Sequence, residues 1–284
     1  MSTFWGWWQL LPAKINPVVF EFNGFRVQYY GLMYIVAFAV TYVLVRHRLK
    51  HENQFVISVE HINNLMTFLI VGVIVGGRLG YVFFYNSSYY FHHPLEIFLP
   101  FKFSNHITFT GISGMSFHGG LLGVILSATL YTKKNSLSFR NMADLFAPAI
   151  PLGYTFGRIG NFINGELFGR VTTSRIGMYF PLAPGPGLRH PSQLYEAFFE
   201  GIFLFAILWP MRKIPFPNGT MMAFYLIGYG VARFFIECFR QPDAHLGFVW
   251  LSLSMGQILS GLMILGGIFL SVYFYHGKSY NQKP

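Results

Sequence analysis

The chain has 284 residues, of which 11% are charged, 53% apolar and 19% aromatic, and its formal net charge is +10. Soluble domains carry about a quarter charged residues, so the composition argues against a water-soluble fold and for a bilayer as solvent. The basic residues are scattered over many segments rather than gathered in one patch, which argues against nucleic acid as a partner and suits a membrane containing anionic lipid.

Trp5, Trp7 and Trp8 lie in an N-terminal extension over residues 1–15 and read as an interfacial anchor. Seven apolar blocks follow, at about 28–46, 61–85, 115–132, 142–165, 192–211, 220–239 and 253–275. Most approach the roughly 20 residues that a bilayer-spanning helix needs. The first block is followed by Arg46-His47-Arg48 instead of a small-residue cleavage site, so it reads as a retained span. The expected fold is all-α: a polytopic integral membrane protein of about seven transmembrane helices. It forms a single membrane domain over residues 1–284, with a small outer-side loop or cap at 166–191 and a cytoplasmic tail at 277–284. Cytoplasmic loops collect Lys and Arg. The loops after blocks one, three, five and seven hold Arg46, Arg48, Lys50, Lys133, Lys134, Arg140, Arg212, Lys213, Lys278 and Lys283, ten against six on the other side (Lys14, Arg26, Lys102, Arg170, Arg175, Arg189). The N-terminus is therefore expected outside and the C-terminus in the cytoplasm.

With that orientation, sequence position becomes depth. Tyr30, His118, Ser192 and Tyr195 open odd-numbered blocks, whereas Arg78, Arg158, Asn161, Asn164, Glu166, Arg233 and Glu237 close even-numbered ones, so all of them fall in the outer half of the membrane. An arginine at a helix centre costs about 2.5 to 3.5 kcal/mol, so three unpaired ones would cost roughly 8 to 10. For Arg233, Glu237 four residues on is a ready partner, and it is also within reach of Arg240. Arg158 and Arg78 have no acid three or four positions away, and that apparent excess of positive charge points to an anionic ligand. The stripe Gly153, Gly157, Gly160 reads as helix packing. For Asn161 and Asn164 an interhelical hydrogen bond and ligand contact both stand. His118, next to Gly119-Gly120, reads either as a structural histidine or as a proton-transfer group. Tyr30 reads as an interfacial belt residue by itself, Asp144 as a helix cap, and His190-Pro191-Ser192 as the start of a helix whose His190 faces the site. The lone Cys238 reads as a small buried apolar residue and excludes an internal disulfide. No carboxylate and histidine cluster has ligand spacing, so neither a metal nor another cofactor is expected.

These residues fall into a familiar pattern. Gly157-Arg158-Ile159-Gly160-Asn161-Phe162-Ile163-Asn164-Gly165-Glu166, followed by Gly169-Arg170, closely resembles the signature of the bacterial prolipoprotein diacylglyceryl transferases. Tyr30-Gly31-Leu32-Met33-Tyr34, Gly76-Gly77-Arg78, Ser116-Phe117-His118-Gly119-Gly120, Arg189-His190-Pro191-Ser192-Gln193-Leu194-Tyr195-Glu196, and Arg233 with Phe239-Arg240-Gln241-Pro242-Asp243 are similar to that family in the same order. The likeness runs from about Asn16 to Gln257. It implies a bacterial inner-membrane enzyme that transfers the diacylglyceryl group of phosphatidylglycerol to the thiol of a lipobox cysteine in a prolipoprotein signal peptide, releasing glycerol phosphate, with membrane lipid around it. On that reading Arg158 and Arg233 stabilise the departing phosphate. His118 is the first candidate for the thiol's base and Tyr30 the second, and the likeness also marks Asn161 and Gly169. Glu166 and Glu237 orient arginines, and Arg78, Arg240 and His190 join them in substrate binding. Two rivals remain at this stage: a transporter of an anionic solute, which lacks the matching halves such folds show, and an intramembrane serine peptidase built on Ser113 and His118, which gives the arginines nothing to do.

Overall fold

The computed structural model describes residues 4–22, 25–99, 101–103, 107–109, 114–241, 248–250 and 252–280. Helices dominate. In chain order they are α1 (Phe4–Gln9), α2 (Leu11–Lys14), α3 (Tyr29–His51), α4 (Val59–Tyr85), α5 (Ser87–His92), α6 (Phe117–Lys134), α7 (Phe139–Phe146), α8 (Ile150–Ile163), α9 (Ser192–Met211), α10 (Thr220–Ile236) and α11 (Met255–Tyr280). A helix or helix pair stands at each of the seven apolar blocks. Among the described residues, α3, α4, α9 and α11 are long and apolar enough to cross a membrane, and α10 is a shorter apolar helix.

Four expectations need correction. The fold is mostly helical but not all-α: among the described residues, three two-stranded antiparallel ribbons pair Val18–Phe22 with Phe25–Gln28, Phe101–Phe103 with Ile107–Phe109, and Phe248–Trp250 with Leu253–Ser254. The first had a signal in the sequence, since Asn23-Gly24 between two β-prone runs is a strong hairpin cue. The block at 142–165 is not one helix. It breaks between α7 and α8 at Pro148, which supplies no N–H to a helix interior, and Pro151 sits in the tolerant first turn of α8. Arg48, counted above as a loop charge, lies within α3 and is fully buried. Cys238 is exposed, not buried.

Contacts gather the chain into two compact units, Met1–Glu52 with Ala143–Pro284, and Asn53–Met142. In the second, α4 packs on α6 through glycines on both sides. A Cβ on Gly72 would lie 2.7 Å from the Gly123 carbonyl oxygen, one on Gly76 would lie 2.5 Å from that of Gly119, and one on Gly123 would run into the Gly72 carbonyl. Small residues thus let two backbones approach, as bilayer helices use them. Ser116 finishes the seam: its hydroxyl accepts from Gly119 N at 3.2 Å, and its amide donates to the Gly77 carbonyl at 2.9 Å.

In the first unit α8 lies against α3. Gly153 leaves room for the Ala37 carbonyl and Gly160 for Met33, at 2.8 and 3.1 Å from where a Cβ would stand, whereas Gly157 has nothing within 4 Å. The glycine stripe is therefore a packing surface at two of its three positions. On its other side α8 meets α9 at Gly201, where a Cβ would collide with Thr155. At one end of this unit Arg48 donates to the Asp144 and Leu145 carbonyls, both at 2.6 Å, and pairs with Glu52 at 2.7 Å. Asp144 accepts from the amides of Gly219 at 2.5 Å and Met222 at 2.9 Å. It is a helix cap as expected, but it caps α10 and not its own helix.

The N-terminal extension is docked. Trp8 Nε1 donates to the Ile176 carbonyl at 3.0 Å, Tyr179 N donates to the Gln9 carbonyl at 2.8 Å, and Trp8, Leu11 and Ile15 pack on the buried Phe162, Met178 and Phe180. Trp5 and Trp7 are exposed, in keeping with an interfacial anchor.

Because the methyl of Gly123→Ala would meet backbone rather than a movable side chain, we expect it to destabilise the protein by about 1–3 kcal/mol. Thermal unfolding in detergent measures this, and an unchanged midpoint would mean that the α4–α6 seam yields freely.

Candidate functional site

The sequence signature lies at the C-terminal end of α8 and in the turn after it. Asn161 Nδ2 donates to Glu166 Oε1 at 2.8 Å, and that turn is held by the start of α9. Gln193 Nε2 donates to the Glu166 carbonyl at 2.5 Å, and Ser192 Oγ to the Leu167 carbonyl at 2.9 Å. Asn161 and Glu166 are among the groups surrounding the Tyr30 phenol, and the Tyr30 and Tyr34 hydroxyls are 3.0 Å apart. Tyr30, Arg158, Asn161 and Glu166 are thereby brought together.

The acid missing beside Arg158 in sequence comes from another helix. Glu196 on α9 has no exposed surface, and its Oε2 lies 2.9 Å from Arg158 Nε and 3.2 Å from Arg233 Nη1. Its Oε1 accepts from Arg240 Nη1 at 3.2 Å. Glu200, one turn on and equally buried, lies 3.6 Å from Arg233 Nη1 and accepts a short hydrogen bond from the Tyr154 hydroxyl. Arg233 also pairs with Glu237 at 3.0 Å, as expected, while Arg240, read as a second partner of Glu237, goes to Glu196. Three guanidiniums therefore meet three carboxylates. The inference that Arg158 carries uncompensated charge is overturned.

Sequence reasoning missed Glu196 and Glu200, although a signal existed. Two acids four residues apart in an apolar block cost as much as an arginine there and demand partners just as strongly. Helical spacing pairs an arginine only with acids on its own helix, and these two lie on a facing one. A π-helical stretch, Ala197–Phe203, runs through this part of α9. Such insertions concentrate at functional sites.

The arginines are not sealed. Between 13 and 15% of each side chain is exposed. Arg158 gives Nε to the Tyr154 hydroxyl at 2.6 Å and Nη1 to Asn161 Oδ1 at 3.3 Å, and its Nη2 donates to no described residue. Arg240 donates from Nη1 alone among the described residues. Glu237 is held in place by Ser254 Oγ at 3.2 Å, and only a glycine at 256 leaves space for it.

The segment 166–191 joins this cluster. Gly169 N donates to the His190 carbonyl and Arg170 N to the Phe239 carbonyl, both at 2.8 Å, and Arg170 Nε donates to the Arg240 carbonyl at 2.9 Å. A Cβ on Gly169 would lie 2.7 Å from that of His190 and would overlap the Phe239 carbonyl, so this glycine lets its segment pack closely on the one carrying Arg240. His190 Nδ1 lies 3.1 Å from the Tyr195 hydroxyl, and its ring stands edge-on to Phe239.

Arg78 and His118 belong to the other unit. Arg78 donates to the Ile97 carbonyl at 2.8 Å and the Glu96 carbonyl at 2.5 Å, and its guanidinium lies 4.9 Å from the Tyr90 ring centroid. Backbone carbonyls thus supply acceptors that no acid at helical spacing provides. His118 is exposed in the first turn of α6, its ring against Phe117. Ser113, Pro242 and Asp243 lie outside the described residues. No group of three or more His, Cys, Asp or Glu placed to hold a metal ion occurs among the described residues.

A family model described as prolipoprotein diacylglyceryl transferase matches residues 17–273. Proteins named phosphatidylglycerol–prolipoprotein diacylglyceryl transferase are similar to the chain over nearly their whole length. That of Chlorobaculum tepidum is 54% identical, covering 96% of this chain and 94% of the relative. Those of Idiomarina loihiensis and Desulfotalea psychrophila are 48% and 45% identical, covering 94% and 93% of this chain and 95% of each relative.

Burial lowers the His190 imidazole below its usual value. The folded protein therefore takes up that proton at lower pH than the unfolded chain does, and the associated stability is present at neutral pH and lost as pH falls below about 6.5. We expect the unfolding midpoint to drop less between pH 7 and 5 in His190→Gln than in the wild type. Equal slopes would show that the ring titrates as in the unfolded chain.

Proposed function

The chain belongs to the prolipoprotein diacylglyceryl transferase family, and from that premise we propose that it catalyses the first step of bacterial lipoprotein maturation, moving the diacylglyceryl group of phosphatidylglycerol onto the lipobox cysteine thiol of a prolipoprotein. Sulfur bonds to the glycerol carbon that carries the phosphate, and that carbon–oxygen bond breaks. Its electron pair leaves on glycerol phosphate, and the thiol proton goes to a base. Neither a cofactor nor a metal is needed for this balance.

The observation that carries the reading onto particular residues is the convergence of Arg158, Arg233 and Arg240 on one buried carboxylate, with guanidinium nitrogens left over and part of each side chain open. The departing phosphate gains negative charge, and preorganised guanidiniums stabilise that change with little reorganisation. The arginines do so as members of an ion-pair array, not as free cations. Asn161 and Glu166 set the Arg158 side of the array, and Tyr30 lines it. Gly169 and His190 close the cap over it, and Glu237 holds Arg233. His118 takes the thiol proton and Arg78 adds to substrate binding; both assignments rest on the family likeness.

The finer architecture belongs to the same proposal: a single membrane domain of seven spans in the bacterial inner membrane, the N-terminus outside, the C-terminus cytoplasmic and the site in the outer leaflet. Setting aside the buried Arg48, ten minus one leaves nine Lys and Arg against six, so the charge bias that supports this orientation survives.

Purified protein incubated with phosphatidylglycerol and a lipobox peptide is expected to raise the peptide mass by one diacylglyceryl group, with no change for a peptide whose cysteine is replaced by serine. Arg158→Lys keeps the charge but loses the fork. It is expected to transfer about 10²-fold more slowly at an unchanged unfolding midpoint; unaltered turnover would remove Arg158 from the reaction.

A further inference from the structure

Two buried acids, Glu196 and Glu200, have no part in the chemistry above, yet Glu196 is the common partner of all three arginines. Those arginines come from α8, from α10 and from the segment after α10. Glu196 holds each of them within 3.2 Å of its oxygens. Without that charge, Arg233 would keep Glu200 and Glu237, Arg158 would keep the neutral Tyr154 and Asn161, and Arg240 would keep no side-chain partner among the described residues. Three like charges gathered at one point in a medium of low dielectric repel one another strongly, so their convergence depends on the carboxylate between them. The same guanidiniums are the groups a phosphate would engage, which sets Glu196 and an incoming phosphate in competition.

We propose that Glu196 is a positioning residue for diacylglyceryl transfer: it gathers Arg158, Arg233 and Arg240 into one array and competes with the lipid phosphate for them. This rests on the functional reading above. Two opposite effects follow from neutralising it. The array becomes one unit more positive and attracts the anionic headgroup more strongly, while its guanidiniums are no longer held where the leaving phosphate develops charge. A residue that only supported the fold would weaken binding and stability together and would not separate these effects.

The test is initial rates of peptide modification across a range of phosphatidylglycerol concentrations for the wild type, Glu196→Gln and Glu196→Asp, with unfolding midpoints measured alongside. Misplacement of reacting groups by about 1 Å costs on the order of 10²-fold, so Glu196→Gln is expected to lose kcat to that extent with KM for the lipid at or below the wild-type value. Glu196→Asp, which keeps the charge on a shorter stem, is expected to recover part of kcat. An unchanged kcat in Glu196→Gln, or a raised KM with kcat intact, overturns the proposal. Should Glu196→Gln fail to fold, Glu196→Asp decides it: reduced kcat at unaltered KM supports the proposal, and wild-type kinetics overturn it. A wild-type protein that modifies no peptide would overturn the functional reading itself, whereas an active wild type with an equally active Glu196→Gln overturns this inference alone.

Discussion

A carboxylate with no access to water must be met by cations, and in this protein three guanidiniums from separate segments of the chain meet at Glu196. Breaking a buried ion pair by removing one partner costs about 3–5 kcal/mol, a large part of the 5–15 that holds a typical domain together. Much of the surrounding architecture serves to make these contacts. The absence of a side chain at Gly201 lets α9 press against Thr155 and Pro151 of α8, which brings Glu196 within reach of Arg158 and Glu200 within reach of the Tyr154 hydroxyl. Gly256 leaves space for Glu237, and Gly169 lets its own segment pack against the one that carries Arg240.

On the proposed function, this pairing changes what recognition of an anionic lipid requires. An isolated arginine in the membrane would bind any anion strongly, before and after reaction alike. In a compensated array the incoming phosphate gains only what it takes from the internal carboxylates. The bound phosphodiester carries one negative charge and the departing glycerol phosphate develops a second, so the exchange favours the group as it leaves. Catalysis needs that difference between ground and transition state, and uniform tight binding does not provide it. Part of each arginine side chain is exposed while its ion pairs stand, so on the proposed function the exchange would not require dismantling the cluster.

Several elements were legible because they rest on local physics. The seven apolar blocks each hold a helix or helix pair, the i, i+4 pair Arg233–Glu237 formed, and Asp144 caps a helix. Other features escaped for reasons equally physical. Pro148 divides a block that reads as one apolar stretch, and hydropathy does not register a missing N–H. Arg48 looked like a loop charge because the apolar run ends before it, but α3 continues and buries it against carbonyls of a segment remote in sequence. The N-terminal extension, which lies before the residues the family model matches, packs through Trp8 on Ile176, Met178 and Phe180, a contact no local pattern announces.

By itself the sequence determined the solvent, the positions of the helices, the family, and which polar residues had to find partners inside an apolar environment. These follow from composition, from periodicity and from the cost of burying charge, all readable residue by residue. The tertiary structure alone decided which partners came from other helices. Arg158 and Arg240 both reach Glu196 across helices, and neither choice follows from helical spacing. An ion pair is a matter of angstroms, and the distance between two helices is set by the small residues and the packing at their interface, not by their separation along the chain.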